Sequence, residues 1–152
     1  MMKRIQKFQL IVVGALLFVA GCGSGTDEWV EARETVYPAS GVVTLDGQPV
    51  EGATVIFHSV RKSISAQGMT DEDGRYYVTT YEDNDGAVAG KHVVTVRKSE
   101  YVQKKTKHHT EEEPSYYKVA TEILPAEFAT EKTSTLEVTV PESGADDLDF
   151  KF

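Results

Sequence analysis

The chain has 152 residues, a length that suits one domain and not two. Apolar residues make up 40% of it, which is enough to form a hydrophobic core. Its formal net charge is −8, and a surface that negative repels phosphate backbones, so we expect no nucleic-acid partner. The single cysteine excludes an internal disulfide, so the fold must depend on its core alone.

The first residues have the order of a secretory signal. A positively charged start (MMKRIQKFQ) is followed by an apolar stretch at residues 10–20 and then by Gly21 and Cys22. A short transmembrane anchor with an incidental cysteine is the alternative, but a stable span needs about 20 apolar residues. We therefore predict a cleaved signal peptide over residues 1–21.

The stretch VAGC, which ends at Cys22, resembles the lipobox of bacterial lipoproteins. The resemblance implies that the bond before Cys22 is cleaved and that its thiol and its new amine are acylated, with palmitate as a typical chain. Several acyl chains hold a protein at a membrane more firmly than one. Gly23 stands where an Asp keeps enterobacterial relatives at the inner membrane, which favours the outer membrane or the cell surface. The expected location is the cell envelope, with the membrane as a partner through Cys22.

Residues 22–39 are small, polar and acidic, and they show neither alternation nor a helical period. This composition predicts a tether between the lipid and the domain. Two apolar pairs, Trp29 with Val30 and Val36 with Tyr37, are less typical of a linker. Either pair could pack on the edge of the domain.

The segment 40–152 has the alternation of an all-β domain. Seven short strands are predicted, and their buried faces should carry Val43, Leu45, Val55, Phe57, Tyr76, Val78, Val94, Val96, Leu136, Val138, Val140, Leu148, Phe150 and Phe152. Turns are predicted at Asp46 and Gly47 and at Asp73 and Gly74, where glycine supplies a positive φ. Seven such strands in about 110 residues predict an immunoglobulin-like sandwich of two sheets.

Three motifs in this segment, SGVVTLDGQPVEGATVIF, TDEDGRYYV and GAVAGKHVVTV, are together similar to the carboxypeptidase-regulatory-like, transthyretin-like (prealbumin-like) sandwich domain. The stretch LPAEFATEKTSTLEVTVPESGADDLDFKF is similar to the tail of small lipoproteins of this type in planctomycete-like bacteria. The resemblance covers residues 40–152 and departs at 99–123, which is long and highly charged. In that family the sandwich is a structural or adhesive accessory, so the resemblance implies no catalytic residues and no cofactor.

Two acidic loops, TDEDG and YEDNDG, offer oxygen ligands of the kind that calcium takes. The candidate ligands are Asp71, Asp73, Asp83 and Asp85. Neither loop has the D-x-D-x-D-G spacing or a bidentate Glu downstream. Asx-turn hydrogen bonding and solvation explain the same residues, so we predict no metal site, with calcium as the alternative if the loops converge.

The stretch GAVAGKH, residues 86–92, nearly matches a phosphate-binding loop. It has three residues between the glycines where four are needed, His92 where Ser or Thr is needed, and a strand after it instead of a helix. We therefore predict a plain turn. The sequence contains neither G-x-S-x-G nor H-E-x-x-H, and its serines have no recognisable base partner, so we predict a protein that is not an enzyme.

The segment 104–118, KKTKHHTEEEPSYYK, is the most unusual part of the chain. His108 and His109 are adjacent and would point to opposite faces of a strand, so we predict a solvated excursion and not a metal site. A long loop in a small domain is usually functional or disordered. Tyr116 and Tyr117 provide aromatic contact area, which predicts a partner surface here.

Two classes of function follow from these patterns. The first is a non-catalytic, lipid-anchored module of the cell envelope with a structural, adhesive or partner-docking role. The alternative is an accessory ligand-binding module that holds calcium, a glycan or a protein at its loop end. Stabilisation by calcium would favour the second class, and capture of an envelope protein only with residues 104–118 intact would favour the first.

Overall fold

The computed structural model describes residues 33–152 of the chain. The predicted signal peptide, the predicted lipidation site Cys22 and the pair Trp29 and Val30 lie outside the described residues. Within the described part, Glu34–Phe152 form one compact unit. The described residues contain no helix that is long and apolar enough to cross a membrane.

Nearly all of the regular structure in this part of the chain is β. The strands are β1 (Val36–Tyr37), β2 (Ser40–Leu45), β3 (Gln48–Pro49), β4 (Thr54–Ser59), β5 (Ser65–Met69), β6 (Arg75–Tyr77), β7 (Ala87–Val88), β8 (Gly90–Arg97), β9 (Ser99–Lys105), β10 (Tyr116–Glu122), β11 (Leu136–Val140) and β12 (Phe150–Lys151). A single 3-10 turn, Ala126–Ala129, is the only helical element among residues 33–152. The all-β prediction is confirmed, and the seven predicted strands correspond to β2, β4, β5, β6, β8, β11 and β12.

Two four-stranded sheets supply the core. One is antiparallel with the order β11-β8-β4-β5, and the other has the order β12-β2-β3, with β6 also paired to β2. The ring of Phe57 from the first sheet lies 6.2 Å from that of Tyr76 in the second, and Tyr76 stacks on Phe150 at 6.2 Å. Inner faces that meet in this way are consistent with a β-sandwich.

The predicted turn at Asp46 and Gly47 is confirmed. Both residues have positive φ, 51° and 79°, and they connect the paired residues Leu45 and Gln48, as in a two-residue hairpin. The strand after the turn, β3, is very short, and the longer apolar run β4 pairs with β5 and β8 of the other sheet. The two apolar runs around the turn therefore face each other across the core instead of sharing a ladder.

The buried core follows the predicted alternation for the most part. Buried as predicted are Val43, Val55, Phe57, Tyr76, Val78, Val94, Val96, Val140 and Phe150. Only partly buried against that core are Leu45, Leu136, Val138, Leu148 and Phe152. Leu136 and Val138 are less buried than predicted because β11 is an edge strand with a neighbour on one side only.

The start of the paired structure precedes Ser40, where the predicted domain begins. Val36 pairs with Val88 and Tyr37 with Ala87, so the β1 residues join the domain edge within the predicted tether 22–39. Gly86 permits this approach, because its φ is +99° and a side chain there would overlap the carbonyl oxygen of Tyr37.

Candidate docking surface

The charged segment predicted as a solvated excursion is a long β-hairpin. β9 and β10 pair in antiparallel register from Ser99 opposite Glu122 to Lys105 opposite Tyr116. Within residues 33–152, neither strand pairs with any other strand. Nearly all of its residues are exposed, as predicted. The regular antiparallel pairing of its two strands was not predicted.

Polar contacts fix the hairpin where it leaves the domain. The guanidinium of Arg97 lies 3.2 Å from the Glu122 carboxylate, and the Ser99 hydroxyl donates to the same carboxylate at 2.7 Å. The backbone N–H of Ile123 donates to Lys98 at 2.8 Å, and the next side chain, Leu124, is buried in the core. The base of the hairpin is therefore held while its distal part extends into solvent.

The two faces of the hairpin carry different side chains, because neighbouring residues of a strand point to opposite faces. One face carries Val102, Lys104, Tyr117 and Val119, and the other carries Tyr101, Gln103, Tyr116, Lys118 and Ala120. Tyr116 and Tyr117, predicted as one contact pair, are thus divided between the faces. The tyrosines 101, 116 and 117 are 73%, 50% and 51% exposed.

Sequence reasoning missed Tyr101 and Val102 as members of this surface. Val102 pairs with Val119, and Tyr101 pairs with Ala120. The signal that could have found them is the run of β-forming residues on each side of the polar stretch.

The prediction placed His108 and His109 on a strand. They lie instead in the turn that connects β9 and β10. Nδ1 of His109 accepts the backbone N–H of Ser115 at 3.2 Å, and its ring meets that of Tyr116 edge-on at 4.8 Å. His108 is exposed. Among the described residues, no three His, Cys, Asp or Glu side chains are grouped to hold a metal ion. His109 is a structural residue of the turn.

The acidic loops use two of their four candidate carboxylates for their own backbone. Asp71 accepts the N–H groups of Asp73 at 3.0 Å and Arg75 at 2.8 Å. Asp73 and Asp83 are exposed. Asp71 thus forms the Asx-turn interaction that the sequence suggested for this loop.

Asp85 orders the second acidic loop. Its carboxylate accepts the backbone N–H groups of Thr80 at 2.7 Å, Tyr81 at 3.0 Å and Glu82 at 2.9 Å. Burial acts to raise the pKa of Asp85, but these hydrogen bonds outweigh it and hold the pKa below its usual value. A carboxylate committed to three donors has little capacity left for a cation.

One histidine lies beside a serine and a glutamate, which resembles the components of a catalytic triad. Nδ1 of His58 lies 3.4 Å from the Ser65 hydroxyl and 3.8 Å from the Glu131 carboxylate, while Nε2 lies 3.3 Å from the Thr95 hydroxyl. A triad needs the nucleophile and the carboxylate on different ring nitrogens. Here both share Nδ1, so this group lacks the geometry to activate Ser65.

Comparisons with models of protein families, with curated proteins and with solved structures find no match to this chain. The similarity to bacterial lipoproteins and to carboxypeptidase-regulatory-like domains stays a prediction from the residues. Three of the four exposed tyrosines among the described residues lie on the hairpin, so the hairpin is the candidate on which a function can be argued.

Proposed function

We propose that this protein is a non-catalytic, lipid-anchored module of the cell envelope that docks another envelope protein through the hairpin of β9 and β10. The observation that carries the proposal is the exposure of both faces of this hairpin, with aromatic and aliphatic side chains on each. An isolated two-stranded hairpin is marginally stable in water. A partner that adds a strand or covers one face would therefore stabilise it.

The size of the hairpin suits such a contact. Seven residues of β-strand span about 24 Å. Tyrosine side chains give large contact area at low cost in conformational entropy and are enriched at interfaces. The outer edges of β9 and β10 also carry backbone groups that can extend into a partner strand.

The lipid part of the proposal is supported by the signal order and the VAGC stretch at Cys22. Acyl chains on Cys22 would hold the domain close to a membrane, with the tether setting its reach. A protein held there meets other envelope proteins at high effective concentration. Weak individual contacts of the hairpin would then be sufficient for docking.

The docking proposal is tested by replacing residues 104–118 with a short Gly/Ser linker. Val102 and Val119 face each other across the hairpin, so a short linker can close the shortened loop. We expect the melting transition and membrane attachment to remain, and crosslinking to the envelope partner in intact cells to be lost. A shortened protein that folds and crosslinks like the parent would place the partner surface elsewhere.

The face that docks is identified by two double variants. Val102→Ala with Tyr117→Ala removes contact area from one face, and Tyr101→Ala with Tyr116→Ala removes it from the other. We expect one double variant to weaken crosslinking strongly and the other to resemble the parent. Equal crosslinking in both variants and the parent would argue against docking by either face.

The lipid proposal is tested by mass spectrometry of the mature protein from native membranes. We expect Cys22 as the acylated first residue, and we expect Cys22→Ser to release the protein from the membrane fraction. Recovery of Met1 or of a free Cys22 thiol would contradict the assignment while leaving the docking test unaffected.

A further inference from the structure

A groove lies on the surface where β5 meets β6 and the residues that follow it. Gln67 and Thr79 join the two segments by exchanging backbone hydrogen bonds of 2.9 Å and 2.8 Å. Gly68 allows this approach, because a side chain there would overlap the carbonyl oxygen of Tyr77. Beyond the joined pair, toward Met69 and Tyr77, the described structure shows no further pairing between these strands. A cavity of about 590 Å³ lies beside this junction.

A second cavity continues this groove past the same side chains. Its volume is about 330 Å³, and it shares Tyr77 and Asn84 with the first. Ser143 and Asp146 also line this second cavity. Tyr77 and Asn84 therefore border both cavities, and a linear ligand that passes them would place successive units in the two.

The charged groups of the lining disfavour an anionic ligand. Among the described residues that line the two cavities, none is Lys, Arg or His, and Asp83 and Asp146 contribute carboxylates. An anion would meet two like charges and no counter-charge. The remaining polar groups are hydroxyls and amides, including those of Thr54, Gln67 and Asn84, which pair with neutral hydroxyl groups.

The two largest side chains with apolar surface in the lining are exposed. Tyr77 is 49% exposed and Met69 is 68% exposed, although side chains of this size usually bury more of their surface. A tyrosine ring offers an apolar face with a polar tip. A sugar ring presents the complementary pattern, with C–H groups on its face and hydroxyl groups around its rim.

The loop that carries the polar groups is held in place before any ligand binds. Asn84 has a positive φ of 58°, and its backbone N–H donates to the Thr79 hydroxyl at 2.9 Å. The Asp85 carboxylate fixes the preceding loop backbone through three N–H donors. A loop ordered in this way loses little entropy when the side chains of Asp83 and Asn84 bind a ligand.

We infer that this groove binds a neutral saccharide chain. The ring of Tyr77 supports the apolar face of one sugar, and Asn84 and Asp83 hydrogen-bond its hydroxyl groups. The next unit of the chain extends toward Ser143 and Asp146. This binding goes beyond the docking role of the hairpin and uses none of its residues.

Calorimetric titration of the full chain with defined hexasaccharides tests the inference. The probes are the neutral hexamers of β-1,4-glucose, α-1,4-glucose and β-1,4-N-acetylglucosamine, with the anionic hexamer of galacturonic acid for comparison. We expect at least one neutral hexamer to bind and the anionic hexamer to bind at least tenfold more weakly. Absence of binding by every neutral hexamer at millimolar concentration would overturn the inference, as would a preference for the anionic hexamer.

Matched variants locate the binding in the groove. Tyr77→Ala should weaken binding about tenfold or more, whereas Tyr117→Ala, which removes an equally exposed tyrosine from the hairpin, should leave it unchanged. Asn84→Gly removes the amide while keeping a residue that accepts positive φ, and it should also weaken binding. Unchanged affinity in both Tyr77→Ala and Asn84→Gly would overturn the assignment.

Docking by the hairpin and saccharide binding in the groove can be tested independently of each other. The variant with residues 104–118 replaced should bind the saccharide like the parent, since it keeps every residue of the groove. Loss of saccharide binding in that variant would place the saccharide on the hairpin and overturn the groove assignment. Loss of partner crosslinking alone would concern only the docking role.

Discussion

The hydroxyl of Tyr76 donates a 2.5 Å hydrogen bond to the backbone carbonyl of Leu148, and so joins β6 to the segment that leads into β12. Burial, and to a smaller extent the charge of Asp149, raise the pKa of Tyr76 far above its usual value. The hydroxyl therefore keeps its proton and remains a donor. Gly41 completes this contact, because a side chain there would overlap the Leu148 carbonyl.

Removing that hydroxyl should destabilise the domain. Tyr76→Phe keeps the ring packing against Phe57 but leaves the Leu148 carbonyl without its donor, at a cost of about 1–3 kcal/mol. Urea unfolding of the variant measures the loss. Tyr117→Phe is the control, and as an exposed change it should stay within about 0.5 kcal/mol of the parent. Equal stabilities for the two variants would contradict the role given to this bond.

Among the described residues, Phe57 is the largest side chain without a polar atom that is completely buried. It is fully buried, and the centroid of its ring lies 6.2 Å from that of Tyr76 and 5.8 Å from that of His92. Phe57→Ala should cost about 3–5 kcal/mol in the free energy of unfolding, because it leaves a cavity at the centre of the core. Met69→Ala removes a large apolar side chain from the surface and serves as the control. A loss below about 1 kcal/mol for Phe57→Ala would refute the assignment of the core.

Asp85 and Asp83 should differ sharply in their contribution to stability. Asp85→Asn replaces an acceptor oxygen by a donor where three backbone N–H groups converge, and we expect a loss of about 1 kcal/mol, moderated by solvent. Asp83→Asn changes an exposed carboxylate of the same loop and should be close to neutral. Thermal unfolding of both variants at pH 7 makes the comparison, and similar losses would argue against the loop role of Asp85.

The pH dependence of the Asp85 contribution follows from its lowered pKa. The stabilisation is fully present above the pKa of the unfolded chain, about 3.9, and is lost as the pH falls through the lower folded value. The difference in stability between the parent and Asp85→Asn should therefore shrink in strong acid. A difference that grows as the pH falls below 4 would contradict the sign.

His92 should make the domain less stable in mild acid. It is 1% exposed, and burial is the main cause that lowers its pKa, with a smaller lowering by His58 and an opposing hydrogen bond to Gly90. Below about pH 6.5 the His92 imidazole therefore binds a proton in the unfolded chain but stays neutral in the folded chain. The free energy of unfolding falls as the pH drops toward the folded pKa of His92.

The measurement is the free energy of unfolding between pH 7 and pH 5.5, where most carboxylates stay ionised. The slope should be shallower in His92→Leu than in the parent. Identical slopes in the parent and His92→Leu would contradict the assignment.

Alternation predicts a strand well where one face is buried. Val55 and Phe57 face the core while Ile56 lies on the other side of β4, and the sequence shows this period directly. The pairing partners were harder to predict, because the turn at Asp46 and Gly47 is followed by a crossing to the other sheet. Alternation shows which face of a strand is buried, but it does not show which other strand pairs with it.

The hairpin was not predicted because its strands have no buried face. Neither face of β9 or β10 is buried, so selection for a core imposes no alternation on their residues. The sequence suggested a glycan as one alternative ligand, but it did not predict the position of the groove, because Tyr77 and Asn84 are brought together with Asp146 only by the final fold. Leu124 was missed since it enters the core from a connecting segment rather than from a strand.

The parallel pairing of β2 with β12 has a mechanical consequence. Four backbone hydrogen bonds connect Ser40 to Ala145, Leu148 to Ser40, Phe152 to Thr44 and Asp46 to Phe152. When two parallel strands are pulled from the start of one and the end of the other, the tension runs along both strands. The bonds between them are then loaded together in shear, whereas an antiparallel hairpin pulled at its two ends opens one bond at a time. Tension between Pro38 and Phe152 is thus resisted by the whole set of bonds at once.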